Sequence, residues 1–139
     1  MSGNIPGTGK FMLAIVDVRD AALSHLRAIL APSPLTSQRI IIHHQSLWLK
    51  DFAILLRDSF PSYGIKTKEF PYCTVKLAAL FDDSVKIVVP YWGKQLHMDN
   101  TRSKEVLGMQ YRDILETVRE GAESMIDAGL IAEKRKKRK

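Results

Sequence analysis

Apolar residues run without interruption from Phe11 to Val16 (FMLAIV), and the pattern then changes period. A run of this length suits one buried strand, and the expected strand is Phe11–Val18. Past Asp17-Val18-Arg19-Asp20, the apolar residues Ala21, Ala22, Leu26, Ile29 and Leu30 fall at helical spacing. Asp20 stands where a helix N-cap belongs, because a short carboxylate there accepts an amide of the first turn. A strand running into a capped helix is half of a βαβ unit, which predicts an α/β protein. Turn and cap duty accounts for Asp17 and Asp20 without direct chemistry.

Downstream, Pro32-Ser33-Pro34 ends the first helix, and the β-branched run Arg39–His43 reads as a second short strand. Ser46 can cap a helix through about Ser59, with Leu49, Phe52, Ala53, Leu55 and Leu56 on its apolar face. Pro61 and Gly64 stop it, and Ile65–Tyr72 reads as extended loop. Leu77–Leu80 and Val85–Val89 read as short helices, divided by Asp82-Asp83-Ser84 and closed by Pro90 and Gly93. Leu96–Met98 suggests a short strand. Asp99 or Asn100 would then cap a brief helix, Thr101–Leu107, stopped by Gly108. The last helix is expected over Arg112–Ala128, with Ile114, Leu115, Val118, Ala122, Met125 and Ile126 on one side and Gly129 as terminator.

Composition narrows the class. A length of 139 residues with 45% hydrophobic content suits one domain with an ordinary core. The single cysteine, Cys73, excludes an internal disulfide framework and fits a reducing compartment. No apolar run approaches the roughly 20 residues that span a bilayer, and Met1–Lys10 has neither the charged start nor the apolar core of a signal peptide. The expectation is a cytoplasmic protein without a membrane partner.

The net charge of +6 does not describe the body of the molecule. All six residues from Lys134 to Lys139 are basic; without them, 15 basic residues face 15 acidic ones. The chain therefore divides into a body, 1–133, and a basic tail, 134–139. A neutral body offers no basic groove to nucleic acid, and the tail reads as a solvated end, with nuclear import as its alternative role.

Several stretches evoke chemistry. Pro6-Gly7-Thr8-Gly9-Lys10 echoes a phosphate-binding loop, but the first glycine is replaced by Asn4 and the magnesium-holding hydroxyl by Phe11, and a strand follows where a helix is needed. His43-His44 would project to opposite faces of a strand and has no accompanying ligand cluster, so no metal site is expected. Tyr91 and Trp92 beside Pro90 read as packing anchors. Cys73 has no histidine at motif distance to activate it.

Several blocks, taken in order, are similar to one enzyme family. Ala14–Leu30 (AIVDVRDAALSHLRAIL), Gln38–Ile42, Leu55–Lys68 (LLRDSFPSYGIKTK), Met98–Gly108 (MDNTRSKEVLG) and the closing Asp127-Ala128-Gly129-Leu130 resemble the C-terminal portion of extended short-chain dehydrogenases/reductases. The branch is that of dihydroflavonol reductases, 3β-hydroxysteroid dehydrogenase-like enzymes and NAD-dependent epimerase/dehydratases. The resemblance implies an α/β fold: the C-terminal, substrate-lobe part of an extended Rossmann-type dehydrogenase, with few strands, several helices, and the N-terminal nucleotide-binding half absent. It implies that Arg39–His43 extends the nucleotide-binding sheet and that Lys66–Gly93 closes over substrate.

The same resemblance implies two constellations in a working enzyme: a glycine-rich turn for NAD or NADP, and a tyrosine with a lysine four residues on, aided by a serine. The sequence has no glycine-rich turn at a strand–helix junction. Tyr72-Cys73-Thr74-Val75-Lys76 matches the tyrosine–lysine spacing. It lies about 50 residues after the VDVRD block, where the family has the pair before it, and its setting reads as loop. No catalytic, coenzyme-binding or metal-binding residue is therefore expected in this chain. The leading expectation is a truncated or fragmentary member of the NAD(P)-dependent oxidoreductases, inactive alone, that binds no coenzyme by itself. It would be marginally stable, self-associating, or paired with a nucleotide-binding half. The alternatives are a non-catalytic module pairing with a full-length homologue, and a nuclear or nucleic-acid protein acting through the tail.

Overall fold

The computed structural model describes residues 7–31, 35 and 38–131. The lead-in Met1–Pro6, the Pro32-Ser33-Pro34 breaker and the basic tail Lys134–Lys139 lie outside the described residues.

Strand β1 (Met12–Ile15) pairs antiparallel with β2 (Gln45–Trp48), with Met12 opposite Trp48 and Ile15 opposite Gln45. The ladder is extended at its ends by the Leu49 amide on the Phe11 carbonyl and the His44 amide on the Ile15 carbonyl, both at 2.9 Å. This corrects two expectations. The second strand is not Arg39–His43 but Gln45–Trp48, which takes the position assigned to the Ser46 cap. The pairing is antiparallel, so α1 does not cross over between parallel neighbours of this sheet. A ladder satisfies backbone groups only where a partner edge is available, and β-branched composition alone supplies none.

Helix α1 spans Val18–Ile29. Its cap is Asp17, one turn earlier than expected: Asp17 is extended (φ −69°, ψ 138°) and its Oδ1 accepts the Arg19 amide at 2.8 Å. Asp20 instead falls inside the first turn and is fully buried. Helix α2 (Leu49–Ser59) follows β2 without a loop. After a one-turn 3-10 helix at Pro61–Tyr63 come α3 (Tyr72–Ala78), α4 (Asp83–Val88), α5 (Thr101–Leu107) and α6 (Ile114–Asp127). The expected strand at Leu96–Met98 is irregular backbone. The expected loop through Tyr72 ends one residue earlier, because Tyr72 opens α3 behind Pro71.

The core lies where α2 packs on α6. Leu56, Val118 and Ala122 are buried together, and Phe52, Leu55, Phe60, Ile65 and Ile114 close around them. Val118 and Ala122 stand one turn apart, so they form a single ridge facing α2. Asp113 caps α6 by accepting the amides of Leu115 and Glu116 at 2.9 and 3.2 Å. The other end closes on Gly129 at φ 71°, with Leu130 and Gly129 amides bonded back to the Met125 and Ile126 carbonyls. That double bond is the Schellman arrangement, and a residue with a Cβ would strain it.

Helix α1 packs with its polarity reversed. Asp20 and Ser24 are its buried residues, while Val18, Leu26, Ile29 and Leu30 are exposed by 78, 51, 80 and 70%. Its apolar stripe therefore faces away from the described core.

Candidate functional site

The N-terminus of α1 and the middle of α6 enclose an open cleft of about 410 Å³, lined by Val16, Asp17, Val18, Arg19, Thr117, Glu120, Gly121 and Ser124. Its floor is a charged clamp. The Arg19 guanidinium donates from Nε and Nη2 to the two oxygens of Asp17, at 2.9 and 2.7 Å. Its Nη1 lies 2.7 Å from Glu120 on α6. The Thr117 hydroxyl lies 3.1 Å from Asp17 Oδ2 and 2.9 Å from the Asp113 carbonyl, and its single proton serves one at a time.

Asp17 is buried, and the Arg19 side chain holds its carboxyl well below the usual carboxylate range, with the Arg19 amide and Thr117 adding to the effect against burial. Arg19 is pushed up in turn, first by its bonds to Asp17 and then by Glu120. A carboxylate that acidic binds no proton at neutral pH, so Asp17 is not poised as a general base. The cleft holds two carboxylates bridged by one guanidinium, an arrangement that ties α1 to α6.

A second tie lies behind it. Asp20 accepts the Arg112 amide at 2.9 Å and also receives the Arg112 guanidinium, so a carboxylate with almost no exposure is met by a residue 92 positions away. Arg27 donates to the carbonyls of Leu107 and Gly108, at the end of α5. Ser103, wholly buried, bonds the Asn100 carbonyl and the Tyr111 hydroxyl, each at 2.6 Å. Asn100 in turn donates to the carbonyls of His43 and His44, at 2.6 and 3.3 Å. Asp99, one residue ahead of the α5 N-cap Asn100, accepts the Thr101 amide at 2.9 Å, and its bonds to the Thr101 side chain and then to that amide hold its carboxyl below the usual carboxylate range.

The residues singled out from the sequence are dispersed. Tyr72 and Lys76 share helix α3 at one-turn spacing, so the stiff support expected to be missing is present. Both are exposed, and the Tyr72 ring lies 5.8 Å from that of Trp92. Cys73 is exposed beside them. His43 is buried, with Nε2 3.1 Å from the Ser46 hydroxyl and Nδ1 unpartnered among the described residues; His44 tilts against Tyr111 at 5.7 Å. Among the described residues no three His, Cys, Asp or Glu side chains converge as metal ligands, and no helix is long and apolar enough to cross a membrane. Thr8, in the glycine-rich lead-in, forms a parallel bridge with Glu69 and has no helix behind it.

Solved structures share this chain's backbone fold. The structure of gox2253 superposes with a TM-score of 0.70 over 94% of this chain and 42% of its own, at 17% identity. Gre2 from Candida albicans superposes with a TM-score of 0.58 over 85% of this chain and 31% of its own, at 24% identity. Gre2 in complex with NADPH gives 0.55, over 84% of this chain and 30% of its own. The chain shares the fold of the matching parts of these proteins. The chain spans less than half the length of these proteins. No family model matches the sequence, and no curated protein matches it.

Sequence reasoning missed Arg19–Glu120, Thr117 and Asp20–Arg112. The local signal was the Asp-Val-Arg-Asp spacing itself, which offers a cap, a partner for that cap and a second acid within four residues. Nothing local names Glu120 or Arg112.

Proposed function

We propose that this chain supplies the substrate-covering part of an NAD(P)-dependent short-chain oxidoreductase, and that coenzyme and redox residues come from a separate nucleotide-binding unit. One observation carries this reading: the β1–α1 junction is closed to a dinucleotide. A pyrophosphate needs a glycine-lined turn and free, positively polarised amides at a helix N-terminus. Here the junction reads Ile15-Val16-Asp17-Val18, without glycine, and the Asp17 carboxylate already occupies the Arg19 amide. A second negative charge at that point would be repelled. The residues present thus do not fit the coenzyme, and no hydride-transfer step is assigned to them.

The likeness to Gre2, which has been solved with NADPH, supports the family reading at the level of the fold. Reduction of a carbonyl, or oxidation of a secondary alcohol, is then the reaction this unit would help to enclose. Calorimetric titration of the isolated chain with NADPH and NADH tests the reading. The expected result is no saturable heat for either, and micromolar binding by the chain alone would refute it.

A further inference from the structure

The segment Tyr72–Tyr91 forms an arm made of α3, a turn, α4 and the 3-10 turn Val89–Tyr91. Its base is tied to Thr8–Lys10 at both ends. Ahead of the arm, the Thr8 amide bonds the Lys68 carbonyl at 2.8 Å, and the Phe70 amide bonds the Thr8 carbonyl at 3.0 Å. Behind it, the Gly93 amide bonds the Lys10 carbonyl at 2.7 Å, and Trp92 lies against Tyr72. Between these ties, no backbone hydrogen bond joins Tyr72–Tyr91 to any described residue outside Pro71–Lys94.

The arm is apolar where it is open. Helix α3 buries no residue, and Leu77, Leu80, Phe81 and Ile87 are exposed by 60, 75, 86 and 70%. Exposed apolar side chains gathered on one element mark an interaction surface. On α4, Asp83, Lys86 and Ile87 share a face, since residues three and four apart are neighbours on a helix. The Asp83 side chain is 99% exposed and that of Lys86 73%, and they meet only at 3.9 Å.

Charge chooses the occupant. The arm carries Lys76 and Lys86 against Asp82 and Asp83, so it is neutral. An anionic lipid surface calls for a basic face, and it would press Asp82-Asp83 into the headgroups beside Phe81. A second copy of the chain meets no such conflict. Where two α4 helices cross antiparallel on a two-fold axis, every contact is made twice, and acid meets base both times. We infer that the arm Tyr72–Tyr91 is a two-fold interface between copies of this chain. Asp83 faces the partner's Lys86, Lys86 faces the partner's Asp83, and Leu77, Leu80, Phe81 and Ile87 pack between them. The arm's twenty residues stand at the lower end of the roughly 20–30 a side of a standard interface, so a reversible, micromolar dimer is expected. The inference goes beyond the function proposed above and does not rest on it.

The test is light scattering and sedimentation of the full chain over a range of concentrations. A monomer–dimer equilibrium is expected. Phe81→Ser with Ile87→Ser is expected to raise its dissociation constant at least tenfold, without lowering the thermal melt of the dilute monomer. Asp83→Lys and Lys86→Glu should each weaken the homodimer, because each sets like charges against each other. An equimolar mixture of those two variants should recover the affinity as a heterodimer. Leu26→Glu with Ile29→Glu, on the exposed stripe of α1, should leave the dimer intact. A chain that stays monomeric at millimolar concentration would overturn the inference, and so would a dimer indifferent to the arm substitutions or dissolved by those on α1. Failure of the mixture to associate would do the same. A lowered melt of the dilute Phe81/Ile87 variant would assign the arm to this chain's own core. Sedimentation with phosphatidylserine vesicles, lost on the same substitution, would assign it to lipid. Either result also overturns the inference. None of these readings involves coenzyme, so the proposed function fails or stands separately, on the NADPH titration.

Discussion

At the residue scale, Asp17 and Asp20 sit three positions apart and have different jobs. Asp17 is a cap whose charge is held by Arg19, and its folded-state pKa is lower than its unfolded one. Its stabilisation is therefore complete above the unfolded value of about 3.9 and is lost as pH falls below that towards the depressed folded value. Asp17→Asn is expected to cost about 1–2 kcal/mol at pH 7, the usual range for a lost cap and a charged hydrogen bond. Thermal melts between pH 7 and pH 2.5 should show wild type and variant converging below about pH 4; a gap that stays constant with pH would refute the assignment. Asp20 has no water to fall back on. Asp20→Ala strands the Arg112 amide, and with a partner that is itself partly exposed the expected loss is about 2–4 kcal/mol by denaturant unfolding. A loss under 0.5 kcal/mol would mean that water replaces the carboxylate.

At the scale of elements, α2 and α6 hold the core while α1 is tied on by polar contacts, so the two kinds of helix should respond oppositely to mutation. Leu56→Ala empties space between α2 and α6 and is expected to cost about 2–5 kcal/mol. Ile29→Ala, on the exposed stripe of α1, is expected to stay within about 0.5 kcal/mol of wild type in the isolated chain. Equal losses at the two positions would show that α1 buries its apolar face after all. The C-terminus of α6 offers an independent check: Gly129→Ala places a Cβ at φ 71° and should cost about 1 kcal/mol.

At the scale of the whole molecule, the sheet is two strands wide, and a pair of strands is marginal without further cover. Beyond the α1 stripe, Leu77, Leu80, Phe81, Ile87 and Tyr91 on and beside α3 and α4 are also exposed, by 60 to 86%. So much uncovered apolar surface implies a shallow stability margin. The isolated chain is expected to melt below about 60 °C, the upper part of the range for mesophilic domains, and to bind an apolar fluorescent dye before it melts. A cooperative transition above that temperature, without dye binding, would mean that the described unit is sufficient by itself.

The sequence by itself determined the elements whose causes are local. Helix α5 between Asp99 and Gly108, and α6 up to Gly129, stand close to where caps and terminators place them, because a cap and a positive-φ glycine act within one turn. The apolar face of α2 was legible for the same reason: Ala53 and Leu56 follow the helical period. What tertiary structure alone decided is every choice between equivalent local options. Ser46 could cap a helix or join a ladder, and pairing with Ala14 put it in β2. Asp17 and Asp20 could each cap α1, and Arg112, 92 residues away, drew Asp20 into the interior. The spacing of Val18, Ala22, Leu26 and Ile29 fixed that α1 has an apolar face. It could not fix which face points inward, because the polar face had partners on α5 and ahead of α6, while the apolar face met nothing in the described chain.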